Sequence, residues 1–320
     1  MRWGTIGTSK ITEEFINGLR KISNQKITAC YSRTKDTATA FIEKNALLTA
    51  VGFTNFDAML SVVDVVYIAS PNGLHFDQAK YFLNNHKHVL LEKPLTFTVS
   101  QAEELIKLAN QNGVILMEAF KTTHLPQYHE LKKWTENNHA FLSTLIMNQY
   151  SSRMPEVKMG LYRSVFDPLL GKGSTYDMLV YPVELAISLF GPVNRQLSMT
   201  WRLENNVGLT NMLLLEHHGG VFTNITTSKA ARGVAPSEII GQDGATATFS
   251  QLTRLQNMRF YELHNKSPLK EIKGSNENPF VYEINDFLAL VANKDFNKMN
   301  DYLQITLQTI AVLEKVDHDK

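Results

Sequence analysis

From residue 2 to about 120, short apolar runs alternate with helical segments, and this rhythm restricts the fold more than any other feature of the 320-residue chain. The predicted strands are "RWGTIG", "KITACYSR" (26–33), "DVVYIAS" (64–70), "HVLLEK" (88–93) and "GVILMEAF" (113–120). Between them lie helical segments: "ITEEFINGLRK", "TATAFIEKN", "HFDQAKYFLNNH" and "VSQAEELIKLANQNG". Strands that are almost continuously apolar need cover on both faces, which a parallel sheet flanked by helices supplies. The pattern predicts a doubly wound α/β layer, whose ligands bind beyond the carboxyl ends of the strands. Strand tips are therefore where chemistry is to be sought.

After about 120 the rhythm changes. A helix ("LPQYHELKKWTENN") leads to a strand over 141–150, a long loop and a helix from about 174 to 190. Long alternating segments follow: "NRQLSMTWRL", "GLTNMLLLEHHGGVFTNITTS", "SEIIGQDGATATFS" and "MRFYELHN", with hairpin turns at Gly219-Gly220 and Asp243-Gly244. A helix over about 302–317 closes the chain. This half reads as an α+β domain built on a large, open, mainly antiparallel sheet. The length suits two domains, placed at 1–120 and 121–320.

Composition narrows the partners. A net charge of +1 gives no reason to expect nucleic acid or an anionic membrane surface. Cys30 stands alone, so no intrachain disulfide can form, and no apolar stretch approaches the roughly 20 residues of a membrane span. The N-terminus enters a strand at once, without a signal-peptide h-region, and a cytoplasmic protein is expected.

The segment "GTIGTSKIT" follows the first strand and opens the first helix, where a dinucleotide fingerprint belongs. Against G-x-G-x-x-G/A the three positions are Gly7, Ser9 and Thr12, so only the first glycine is kept. Gly7 can make the tight turn, and the helix start can offer N–H groups and a positive dipole end to a pyrophosphate. Ser9 puts a side chain where backbone should approach phosphate, and Thr12 is expected to crowd the helix against the strand. The second strand ends "CYSRTKD", with Ser32 and Arg33 ahead of any acid. An arginine fork beside a hydroxyl suits a 2′-phosphate, so NADP(H) is expected in preference to NAD(H). Ser70, Pro71, Asn72 and His75, in "IASPNGLH", form the next strand tip and can cover the nicotinamide ribose.

In "HVLLEKPLTF" a buried strand delivers Glu92 and Lys93 to its tip, and Pro94 then stops it. The ordered segments "WGTIGTSKI", "YSR", "SPNGLH", "EKPLTFTVSQAEEL" and "ILMEAF", continued at "GKGSTYDMLVYP" (171–182), resemble the Gfo/Idh/MocA family of pyridine-nucleotide-dependent oxidoreductases. The resemblance implies a Rossmann domain, and it implies that Lys93 sits beside the nicotinamide and the substrate oxygen. It also implies a cofactor site drawn from Gly7, Thr8, Ser9, Lys10, Ile11, Ser32, Arg33, Ser70, Pro71, Asn72, His75, Glu92 and Lys93. A tyrosine at 181, where many members carry histidine, is similar to the branch of dimeric dihydrodiol dehydrogenases and NADP-dependent xylose dehydrogenases. A homodimer or homotetramer built on the C-terminal sheet is implied as well.

Ser174 is a plausible helix N-cap, and Asp177 and Tyr181 fall at i and i+4 on one helix face, with Pro182 expected to kink the helix. Oxidising an alcohol by hydride transfer needs a base for the hydroxyl proton, and the reverse needs an acid at the carbonyl oxygen. A free tyrosine is a poor base at neutral pH, and a nearby ammonium favours its phenolate. Lys93, Asp177 and Tyr181 are thus the expected catalytic residues, with either Lys93 or Tyr181 passing the proton and Asp177 orienting Lys93 or the substrate. Glu118 is a weaker candidate for shaping the pocket, as are Lys121 and His124. The pairs His86/His88 and His217/His218 lack a Cys/Asp/Glu set at metal-ligand spacing, so no metal is expected. The expected activity is hydride transfer between NADP(H) and a secondary hydroxyl or carbonyl of a sugar, cyclic polyol or related diol. The alternative is a catalytically silent nucleotide-binding regulator of the same family.

Overall fold

The computed structural model describes residues 1–319, which form two compact units. The first holds residues 1–119 together with 277–307, and the second holds 120–276 and the residues from 308 onward.

In the first unit, strands and helices alternate as β1 (Arg2–Ile6), α1 (Lys10–Leu19), β2 (Lys26–Tyr31), α2 (Lys35–Lys44), β3 (Val51–Phe53), β4 (Val65–Ile68), α3 (His75–Asn84), β5 (His88–Glu92), α4 (Val99–Asn112) and β6 (Leu116–Ala119). The six strands pair in parallel in the order β3-β2-β1-β4-β5-β6. Every residue of β4 and β6 is buried, as the apolar runs require. The three-residue β3 is too short to carry a periodic signal and was not expected. Local chemistry sets the helix ends. Thr34 and Thr98 cap α2 and α4 by accepting from the N–H groups of Thr37 and Gln101, and Gly113 ends α4 in the left-handed region at φ 62°.

The second unit contains α5 (Pro126–Asn137), β7 (Leu142–Asn148), α6 (Met154–Lys158), α7 (Gly173–Asp177), α8 (Val180–Phe190), β8 (Val193–Arg202), β9 (Gly208–His217), β10 (Phe222–Ser228), β11 (Ser237–Ile240), β12 (Thr246–Ser250), β13 (Gln256–Tyr261) and β14 (Lys270–Ile272). Its eight strands lie in the order β14-β13-β12-β11-β7-β10-β9-β8, antiparallel except for the β7–β10 pair. The Gly219-Gly220 turn joins β9 to β10, and Asp243-Gly244, both at positive φ, join β11 to β12.

Two helices complete the chain, α9 (Phe280–Asn293) and α10 (Phe296–His318). Helix α9 lies where no element is expected from the sequence, and α10 starts before the closing helix expected over about 302–317. Helix α9 returns to the first unit, where Phe280 and Phe287 join Trp3, Phe15 and Tyr67 in an aromatic core. Phe15 stacks on Tyr67 with ring centroids 3.8 Å apart, and such pairs add ~0.5–1.5 kcal/mol each beyond the area they bury. Among the described residues no helix is long and apolar enough to cross a membrane.

Candidate active site

The strand order of the first sheet reverses between β1 and β4, so the crevice of a doubly wound fold opens beyond the tips of these strands. Gly7 follows β1 with φ +108°, and a Cβ there would lie 2.6 Å from the Ala69 carbonyl oxygen beyond β4. Only glycine lets the two tips approach this closely. Thr8, Ser9, Lys10 and Ile11 carry the chain into α1, with Ser9 at the N-cap position. Ser9 is extended (φ −86°, ψ 172°) and exposed, and its hydroxyl does not cap its own helix. Thr12 is fully buried, its hydroxyl oxygen 3.5 Å from that of Ser9. The crowding expected at Thr12 is therefore absorbed by packing, and the helix start remains open to an anion. Ser32 and the exposed Arg33 lie at the tip of β2, just before the Thr34 cap of α2. This cradle, with its narrow glycine turn, exposed hydroxyl and strand-end guanidinium, fits a dinucleotide carrying a 2′-phosphate.

The tip of β5 is held on several sides. Tyr67 donates to Glu92 at 2.6 Å, carrying the aromatic core to the strand end. The Lys93–Pro94 peptide is cis. Immediately after it, the Leu95 N–H donates to Glu118 Oε1 at 2.7 Å, and Thr306 donates to the other Glu118 oxygen at 2.7 Å. Glu118 thus anchors the turn that presents Lys93, a more specific part than shaping a pocket. Ser70 and Asn72, at the β4 tip, are partly exposed and Pro71 is exposed.

His75, read from the sequence as a cofactor contact, is fully buried. Its Nδ1 lies 2.9 Å from the Pro94 carbonyl and its Nε2 3.0 Å from the Ser70 carbonyl. Burial pushes its pKa down to about 4, so at neutral pH the ring is uncharged and carries one N–H between two acceptors. The structure makes it a bracket between the β4 and β5 tips.

In the second unit, the single helix expected over 174–190 divides at Met178. Pro182 has no N–H to offer the Met178 carbonyl, which accepts instead from Tyr181 three residues on, at 3.2 Å. Asp177 therefore ends α7, and Tyr181 lies in the first turn of α8. Ser174 is not the N-cap: Lys172 takes that place, and the Ser174 hydroxyl meets that of Thr227 at 3.3 Å. Thr175 donates to Asn211, and Asn211 donates to Thr227, both at 3.1 Å. Gly173 approaches so closely that a Cβ would sit 2.2 Å from the Gly208 carbonyl oxygen. These contacts fasten α7, which ends at Asp177, to β9 and β10. From 180 to 188 every residue of α8 is buried except Tyr181, which is partly exposed and packs its ring 5.6 Å from that of Phe120. A helix buried on nearly all sides thus presents one phenol.

Lys229 is a site residue not expected from the sequence. It follows β10, is 8% exposed, and forms an ion pair with Asp177. A signal existed, because "NITTSK" repeats the pattern of "HVLLEK": a strand delivering a lysine at its end. Two of the remaining histidine candidates, His88 and His217, have structural partners. His88 accepts from the Ile115 N–H at 2.9 Å, and His217 lies 2.7 Å from the Gly191 carbonyl. Lys121 and His124 lie in a short 3₁₀ turn before α5, with His124 buried. Among the described residues there is no group of three His, Cys, Asp or Glu side chains that could hold a metal ion.

The family model of the Gfo/Idh/MocA oxidoreductases, with an NAD-binding Rossmann fold, matches residues 1–120. The chain is 32% identical over 317 residues to a scyllo-inositol 2-dehydrogenase (NADP(+)) of Bacillus subtilis, covering 98% of this chain and 95% of that protein. It is 28% identical over 231 residues to a D-xylose 1-dehydrogenase (NADP(+)) of Haloferax volcanii, covering 71% and 69% of the two chains. Among solved structures, a 3-ketoreductase from Actinomadura kijaniata in complex with NADP and TDP-benzene superposes with a TM-score of 0.84. That likeness, at 21% identity over 99% of this chain and 96% of the other, is one of fold.

Proposed function

This chain belongs to the Gfo/Idh/MocA oxidoreductase family, and from that premise we propose that it transfers a hydride between NADP(H) and a secondary hydroxyl or carbonyl of a sugar, cyclic polyol or related diol. The observation that carries the reading is the tip of β5, where Glu92, Glu118 and His75 hold the lysine-bearing turn at the crevice. Bound NADP(H) supplies the hydride acceptor or donor. The first unit would hold it, with Gly7 through Ile11 taking the pyrophosphate, Ser32 and Arg33 the 2′-phosphate, and Ser70, Pro71 and Asn72 the nicotinamide ribose. Lys93 and Tyr181 manage the substrate proton: an ammonium favours the phenolate form of a tyrosine, and the phenolate accepts the hydroxyl proton. Asp177 orients the reacting groups. A silent regulator was motivated by the departures at Ser9 and Thr12, and both side chains are accommodated without closing the helix start.

Two fluorescence titrations test the cofactor. Micromolar NADPH binding with much weaker NADH binding is expected, followed by NADP⁺ reduction with scyllo-inositol or D-xylose as probes. Binding of neither nucleotide would sink the reading. Arg33→Ala should weaken NADPH binding by about 10- to 150-fold, the equivalent of ~1.5–3 kcal/mol for hydrogen bonds to a charged group. NADH affinity should stay as it was, and an equal loss for both nucleotides would remove Arg33 from the 2′-phosphate site.

The protein acts in the cytoplasm, needs no nucleic acid, and self-associates through the outward face of its second sheet. There Leu197 pairs with Leu214 and Met199 with Met212, with Trp201 and Phe222 beside them, all more than half exposed. A contiguous apolar face of this kind calls for a covering surface. The wild type should have the mass of a homodimer or homotetramer in analytical ultracentrifugation at micromolar concentration. Leu214→Asp should give monomers, and a monomeric wild type would refute the assignment.

A further inference from the structure

We infer that Lys229 is a positioning residue of the active site, holding the Asp177 carboxylate in its working place; the inference rests on the hydride-transfer reading above. The Lys229 backbone is fixed on both sides, its N–H donating to the Leu209 carbonyl at 3.0 Å and its carbonyl accepting from the Ser151 N–H at 2.9 Å. Its side chain is 10% exposed, and the ammonium pairs with Asp177 Oδ2. Asp177 is asymmetric to this, with its side chain 35% exposed. The pair therefore consists of a nearly buried cation and a partly exposed carboxylate.

Stability alone is a poor reason for such a pair, since a buried ammonium costs several kcal/mol to desolvate and a packed apolar side chain of similar volume does as well or better. What the arrangement does supply is placement. Asp177 is the last residue of α7, where the helix breaks at Met178, so the helix itself constrains its carboxylate little. Lys229 provides the constraint from the end of β10, and the threonine and asparagine contacts between α7, β9 and β10 keep both elements in register. The sequence reading gave Asp177 to Lys93 or to the substrate. The counter-ion carried by its own unit means that the Asp177 carboxylate is held in place before the reaction begins.

The test uses the full-length wild type, Lys229→Met, Lys229→Arg, Asp177→Asn and the double variant, each followed by NADPH fluorescence and by NADP⁺ reduction with scyllo-inositol and D-xylose. NADPH binding should be the same in all, because the cofactor residues lie in the first unit. Lys229→Met should lower kcat by about 10- to 100-fold, the scale of loss when a reacting group is misplaced by about 1 Å, with a smaller change in KM. Lys229→Arg should recover most of the loss. In the Asp177→Asn background, Lys229→Met should cost little more, because residues that act through one another are not additive. If Lys229→Met fails to fold, Lys229→Arg and Lys229→Gln carry the comparison, with rescue expected only where the cation is kept. Wild-type kcat and KM in Lys229→Met, or fully additive losses in the double variant, would overturn the role. A wild type that binds NADPH but turns over neither probe would count against the hydride-transfer reading itself, and the role of Lys229 would fall with it.

Discussion

Replacing Lys93 by methionine should reduce turnover by about 10²–10⁴-fold, the usual contribution of a positioned acid or base, while NADPH binding is retained. Methionine has nearly the length of lysine and no charge, so the turn after β5 should keep its shape. That turn is held by Glu118 through the Leu95 N–H and by His75 through the Pro94 carbonyl, neither of which involves the Lys93 side chain. Steady-state rates with an identified polyol, set beside NADPH titration, separate chemistry from binding. Tyr181→Phe should show a loss of the same kind. Full turnover in both variants would end the proposed proton transfer.

The second large effect is expected at Gly7. Alanine there must adopt φ +108° and place its Cβ 2.6 Å from the Ala69 carbonyl oxygen. A side chain in such a backbone region costs ~1–3 kcal/mol, and the overlap is with backbone, which cannot rotate away. The tips of β1 and β4 have to part, and they flank the crevice where the pyrophosphate is assigned. Gly7→Ala should lower the melting temperature by about 2–12 °C, taking ~2–4 °C per kcal/mol, and NADPH binding should be lost. Ser9→Gly is the contrasting case. Ser9 is exposed, extended and not capping its helix, so its stability should be close to wild type. An unchanged melting temperature in Gly7→Ala would contradict the close approach.

The alternation of apolar strands with helices was enough to place five of the six strands of the first sheet, and its parallel pairing follows from burial on both faces. The second sheet was legible through its Gly-Gly and Asp-Gly turns and its alternating strands. The tips of β1, β2, β4 and β5 were legible too, because each apolar run stops at turn or charged residues.

Other features depend on neighbours far away in the chain. The return of α9 to the first unit is invisible locally, because an apolar helix face shows that something is buried and does not say against what. Its partners, Trp3, Phe15 and Tyr67, lie more than two hundred residues earlier. His75 looked like a cofactor contact because it stands at a strand tip, and only the fold shows its ring enclosed between two backbone carbonyls. The break at Met178 could be suspected from Pro182, but the tie from Ser174 to Thr227 could not.

The amino-acid sequence by itself determined where the strands end and which residues stand at their tips, because periodicity, turn residues and strand-ending lysines are local properties of the chain. Tertiary structure alone decided which of those residues touch solvent, which serve as brackets, and that Asp177 has Lys229 as its counter-ion. The reason is physical: burial and ion pairing depend on distances through space, and residues 52 positions apart in sequence are brought together only when β10 and α7 pack.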